Sequence, residues 1–133
     1  MKAEGGRGGV MNRVVVISGL ADGMGKYTAK KLAQKGWRVA GFDVDSDGID
    51  ALKKELDETG AKHLLKVLDV TDRPGILRFK DEVLEKFGCP DTVLSNVGIG
   101  FFGPFEEINL EKALKCLEIN LIGCAAVFQS FIP

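Results

Sequence analysis

The chain has 133 residues, 45% of them apolar, which suits one domain with a core of its own. Its 18 Lys and Arg stand against 19 Asp and Glu for a formal charge of -1, so there is no basic field to hold a nucleic acid. The longest unbroken apolar run, residues 121–128, falls far short of the ~20 residues a bilayer-spanning helix needs, so no membrane span is expected.

In chain order, residues 1–10 carry positive charge and glycines but no apolar h-region of a secretory signal. They read as a flexible tail ahead of a domain over residues 11–133, with Met11 a candidate start. Residues 13–18 are a β-branched run suited to a strand covered on both faces. A helix after Gly25 places Ala29, Leu32 and Ala33 on one side and ends at Gly36. Residues 39–42 are the second strand, followed by a helix with Ile49, Leu52 and Leu56 at helical spacing and Gly60 as its stop. Residues 64–68 form the third strand, and Asp72 with Pro74 opens a helix whose stripe is Ile76, Phe79, Val83 and Phe87. Residues 92–95 are the fourth strand, and Asn109 caps a last helix, the most apolar of the four, running to about residue 131.

Strand and helix alternate as in βαβ units, and right-handed crossovers then give an α/β fold of three layers, a Rossmann-like α/β/α sandwich around a parallel sheet of order 3-2-1-4. The three cysteines make no disulfide framework. Cys116 and Cys124, eight apart on one helix, would stand ~12 Å from each other along its axis and read as core thiols. Cys89 beside Pro90 is a loop residue, and with His63 it offers no ligand spacing for zinc, so no metal is expected. A reducing, cytoplasmic location fits this cysteine usage.

The first chemical signal is Ser18-Gly19-Leu20-Ala21-Asp22-Gly23-Met24-Gly25. It leaves a strand and opens a helix, where glycines allow a tight turn and the helix N-terminus offers free N–H groups and a positive dipole to a pyrophosphate. Its spacing, Gly-x-x-x-Gly-x-Gly, differs from Gly-x-Gly-x-x-Gly and from the tighter cluster of S-adenosylmethionine-dependent methyltransferases. A glycine-rich turn without a ligand would look the same in isolation. Asp43, about twenty residues after the loop and at the end of the second strand, adds a carboxylate placed to accept from both ribose hydroxyls of an adenosine. It would repel a 2′-phosphate. Asp22 adds negative charge nearby and no Arg or Lys directly follows Asp43, so NAD is expected over NADP.

From these residues onward the chain resembles the short-chain dehydrogenase/reductase family, without a gap from about Arg13 to the last residue. Ser18 to Gly25 is similar to the family's Thr-Gly-x-x-x-Gly-x-Gly, with Ser for Thr. Asp69-Val70 resembles the pair after the third strand that contacts adenine, Ser95-Asn96-Val97-Gly98 resembles Asn-Asn-Ala-Gly, and Asn120 matches the Asn of the catalytic tetrad. The resemblance implies cofactor binding by Gly19, Asp22, Gly23, Met24, Gly25, Asp43, Asp69, Val70, Asn96, Val97 and Gly98, and a catalytic role for Asn120 in orienting a water or a lysine. Ser95 departs from the first Asn of its motif but keeps a hydroxyl for one sheet-stabilising hydrogen bond, and Val97 adds bulk where the family has Ala. Taken alone, Asn120 would read as a buried polar residue satisfied by backbone.

The resemblance also implies a catalytic Ser and a Tyr with a Lys four residues on, the Tyr acting as general acid/base. The one tyrosine here, Tyr27, has Lys31 at that spacing but sits in the first turn of the pyrophosphate-binding helix, the wrong place for proton transfer at a nicotinamide. Phe101, Phe102 and Phe105 either line a pocket or, as such aromatics more often do, pack under their loop. The chain is thus expected to be the NAD(H)-binding portion of such an enzyme, truncated before a fifth strand, whose parent reaction moves a hydride between NAD and an alcohol or carbonyl. The alternative is a noncatalytic dinucleotide-binding or interaction module. The family's habit of packing the last helix at a subunit interface implies a homo-oligomer.

Overall fold

β-Branched and aliphatic runs form strands where their pattern places them, and the computed structural model describes residues 12–132. The expected tail and the candidate start Met11 lie outside the described residues. The elements are β1 (Val14–Ser18), α1 (Gly23–Gln34), β2 (Arg38–Asp43), α2 (Ser46–Thr59), β3 (His63–Val67), α3 (Arg73–Phe87) and β4 (Thr92–Ser95). A 3₁₀ turn at Phe105–Glu107 leads to α4 (Leu110–Leu117), a π-helical turn at Glu118–Gly123 and α5 (Cys124–Phe131). The sheet order is β3-β2-β1-β4 and all three pairings are parallel, as expected.

Alternation along β1 divides the interior in two, because successive side chains of a strand point to opposite faces. Val15 and Ile17 pack with Ala29 and Ala33 of α1 and Ile49, Leu52 and Leu56 of α2. Val14 and Val16 pack on the other face with Ile76, Phe79 and Val83 of α3 and Val127 and Phe131 of α5. Each aliphatic side chain buried as completely as Leu52 contributes about 1.5–3 kcal/mol. Phe79 meets both Phe42 and Phe131 edge-on, at centroid separations of 5.4 and 6.3 Å, joining sheet to helices.

Short polar side chains fix where the helices begin. Asp45 accepts from Gly48 N at 3.0 Å, Asp72 from Gly75 N at 2.9 Å and Asn109 from Lys112 N at 3.0 Å, each cap worth about 1 kcal/mol. Helix α1 starts at Gly23, ahead of the position after Gly25 that its pattern suggested, because Asp22, in extended backbone, caps it directly.

The C-terminal end of the chain departs most from expectation. A single continuous rod, Leu110–Phe131, does form, but its middle turn is π-helical, and such a turn carries an extra residue that apolar spacing alone does not reveal. The rod has 22 residues and a mean hydropathy of 1.3, long and apolar enough by length and composition to cross a membrane. Counting unbroken apolar runs missed this, since Lys115, Glu118 and Asn120 interrupt the run without outweighing the leucines. Its inner side, Ala126, Val127 and Phe131, packs on the sheet, whereas Leu114, Leu117 and Leu121 are exposed.

Two packing expectations are corrected here. Phe102 and Phe105 do not pack under their loop: they are 103% and 86% exposed, because residues 98–108 hold only the 3₁₀ turn and nothing among the described residues lies over them. Cys116 and Cys124 are only partly buried, since they flank the rod's inner stripe instead of belonging to it.

Candidate functional site

The exits of β1, β2, β3 and β4 meet at one end of the sheet and enclose a cleft of about 290 Å3. Gly19 leaves β1 with φ +73°, and a Cβ there would lie 2.9 Å from the backbone N of Val97, so only glycine lets the two exits touch. Asn96 seals the junction: its N–H donates to Ser18 O and to Ser18 Oγ, both at 3.2 Å, and its Nδ2 donates to Gly19 O at 2.9 Å. Gly25 is buried beneath, where a Cβ would strike Gly19 O and come within 2.8 Å of Asn96 Nδ2. Gly23 faces the opposite situation, with φ +54° and nothing within 4 Å of its missing Cβ, so its backbone conformation and not close packing calls for glycine, and its N–H donates to Asp22 Oδ1 at 2.7 Å.

Asp43, at the end of β2, is bound more tightly into the protein than its sequence position implied. One oxygen accepts from Ala21 N at 3.0 Å and the other from Asp45 N at 3.1 Å. A carboxylate has about four acceptor positions, so capacity for two further donors remains toward the cleft it lines. Asp69 accepts from both the backbone N–H and the hydroxyl of Thr71, each at 2.8 Å. Those bonds, the backbone one foremost, hold its carboxyl below the ordinary carboxylate value against partial desolvation, and the charge of Lys115 adds to them.

Of the expected site residues, Gly19, Asp22, Asp43, Asp69, Val70, Asn96, Val97 and Gly98 line the cleft together. Gly23 opens instead on a neighbouring groove with Lys26, Tyr27, Lys30 and Lys31, and Met24 is 78% exposed in the first turn of α1, off the cleft. Tyr27 stands in that groove with Lys31 Nζ 5.5 Å from its ring centroid, away from the β4 exit. Val44, Leu68, Ile99 and Ile119 complete the cleft wall and were not singled out from sequence. Each adjoins an expected residue, Ile119 by preceding Asn120, which was the available signal.

Asn120 is exposed, and both its amide atoms are committed to one backbone unit. Oδ1 accepts from Ile99 N at 2.8 Å, and Nδ2 donates to Ile99 O at 2.7 Å. In this arrangement Asn120 holds the loop after β4, with Gly98 and Ile99 on the cleft wall. The π-helical turn that carries it also brings Gly123 against Val70, the buried residue beside Asp69. Ser95 does not make the hydrogen bond expected of it: its Oγ is buried and has no partner among the described residues, whereas the hydroxyl of Ser18, its register neighbour on β1, accepts from Asn96 N.

Comparison with known proteins agrees with this geometry. The short chain dehydrogenase profile matches residues 13–133. The D-threitol dehydrogenase of Mycolicibacterium smegmatis is 30% identical over 118 residues, 89% of this chain and 45% of that protein. An NAD+-bound xylitol dehydrogenase superposes with a TM-score of 0.88 at 25% identity, over 92% of this chain and 48% of its own. An alcohol dehydrogenase of the archaeon Thermococcus sibiricus, in complex with 5-hydroxy-NADP, superposes with a TM-score of 0.85 at 32% identity, over 90% of this chain and 52% of its own. This chain therefore spans about half the length of the relatives it matches. With a family profile running through both the glycine loop and the Asn120 turn, this chain belongs to the short-chain dehydrogenase family.

Proposed function

We propose that the chain forms the NAD(H)-binding portion of a short-chain dehydrogenase/reductase whose reaction is hydride transfer between NAD and an alcohol or carbonyl substrate. The observation that carries the cofactor choice is Asp43: it lines the cleft, keeps acceptor capacity there, and has Asp22 on the same wall. Two ribose hydroxyls satisfy such a carboxylate, whereas a 2′-phosphate would face two negative charges. The cradle fits a dinucleotide, since a Cβ at Gly25 would fill the floor and the first turn of α1 beyond the Asp22–Gly23 cap offers N–H groups and a positive dipole to a pyrophosphate.

In this assignment Gly19, Gly23, Met24 and Gly25 form the phosphate loop, Asp43 takes the ribose, and Asp69 with Val70 flanks the adenine. Asn96, Val97 and Gly98 take the nicotinamide side. A bound nicotinamide supplies the hydride acceptor or donor. Asn120 would then contribute by fixing Gly98 and Ile99 on the cleft wall through its bonds to Ile99 N and O. Proton transfer to the substrate oxygen has no candidate in these residues, since Tyr27 lies in the groove on α1, so the 133-residue chain alone is expected to turn over negligibly.

Calorimetric titration with NAD and NADP tests the proposal. NAD is expected to bind at least ~10-fold more tightly than NADP, and Asp43→Ala to erase most of that difference, in keeping with the loss of charge-assisted hydrogen bonds. Equal affinities in the parent protein, or an unchanged ratio in the variant, would reject the ribose assignment.

A further inference from the structure

Cys116 is absorbed by none of the roles above, yet its thiol sits at the junction that shapes one wall of the cleft. Cys116 lies four residues before Asn120, on the same side of the rod. Its Sγ–H donates to Ile99 O at 3.2 Å, and its sulfur accepts from Asn120 Nδ2 at 3.2 Å. The Nδ2 group has two hydrogens and both are placed, one on Ile99 O and one on the thiol. Reversing the amide would set its NH2 against the Ile99 N–H, donor to donor, so the thiol and the Ile99 peptide together select a single orientation of Asn120.

We propose that Cys116 is a positioning residue: acting through Asn120, it holds the peptide of Ile99, and with it the Gly98–Ile99 wall, in the form that receives the nicotinamide half of the cofactor. The naming of that occupant rests on the proposed NAD binding, whereas the holding of the Ile99 peptide does not. The thiol lacks a redox or nucleophilic part in this role. Serine offers one donor and two acceptor positions and keeps the chemistry of the contact, while alanine and valine remove it, alanine with a smaller and valine with a larger side chain.

The experiment uses the purified protein with Cys116→Ser, Cys116→Val, Asn120→Ala and the Cys116→Val/Asn120→Ala double variant. Two readouts are taken: amide hydrogen exchange of residues 98–100 without ligand, and NAD affinity by calorimetry. Cys116→Val is expected to speed exchange at Ile99 and weaken NAD binding about threefold to tenfold, the scale of one net hydrogen bond, with Cys116→Ser staying within about twofold of the parent on both. In the Asn120→Ala background, Cys116→Val should add nothing further, since the thiol acts through Asn120. Unchanged Ile99 exchange in Cys116→Val, or a full additive effect on top of Asn120→Ala, overturns the proposal. Failure of the parent to bind NAD would reject the cofactor assignment alone, and hydrogen exchange would still decide whether Cys116 holds the loop.

Discussion

At Asp69, a short acidic side chain turns back on its own loop, and the consequence is readable as a pH effect. Thr71 holds the carboxyl below its ordinary value of 3.8, so folding favours the ionised form. A depressed native pKa contributes stability that is present above the ordinary value and lost as the pH falls through the depressed one. Asp69→Asn should therefore unfold at lower denaturant than the parent at pH 7, with the gap closing below about pH 3.8; a gap that persists unchanged in acid would place the effect elsewhere. Single residues were also where the sequence was hardest to read. Asp43 was recognisable from its place after the glycine loop, but its bonds to Ala21 and Asp45 depend on how the loop folds back. Ser95 was assigned a hydrogen bond from its chemistry alone, and whether a partner stands within reach of its Oγ depends on packing that a sequence does not display.

Among the elements, the strands and first three helices were legible because burial imposes a period: both-face burial in β1, and three- and four-residue spacing in α2 and α3. The π-helical turn leaves no such trace. Its effect is instead a close packing between Gly123 and Val70, whose Cγ1 would lie 2.7 Å from an added Cβ. Gly123→Ala sets two magnitudes against each other. Helix propensity favours alanine by about 1 kcal/mol. Overpacking against a stiff β-branched side chain costs about 1–3 kcal/mol. The clash should win, giving a net loss of up to ~2 kcal/mol in denaturant unfolding together with weaker NAD binding, because Val70 must move toward the cleft. A more stable variant with parental affinity would show that the turn relaxes freely.

For the whole molecule, the outward stripe Leu114, Leu117 and Leu121 and the one-sided pairing of β4 present apolar surface and open backbone at neighbouring edges. We expect a homodimer or larger species through the rod, with Leu117→Lys shifting the protein toward monomer in sedimentation velocity. A concentration-independent monomer in the parent would remove this expectation. The apolar character of that stripe also accounts for why the rod satisfies the length and hydropathy of a membrane span while its inner side packs on a sheet.

The division of the interior by β1 has a consequence for how the protein comes apart. Val15 and Ile17 belong to one core and Val14 and Val16 to the other, so neither helical layer can leave without exposing half of the same strand. Each layer is a candidate for partial opening, but β1 is released only when both have gone. Its amides should accordingly exchange at the rate of global unfolding and those of α4 much sooner, a hierarchy that native-state hydrogen exchange would read directly. Chain breakage or substitution in either layer should then leave a protected remnant organised around one five-residue strand.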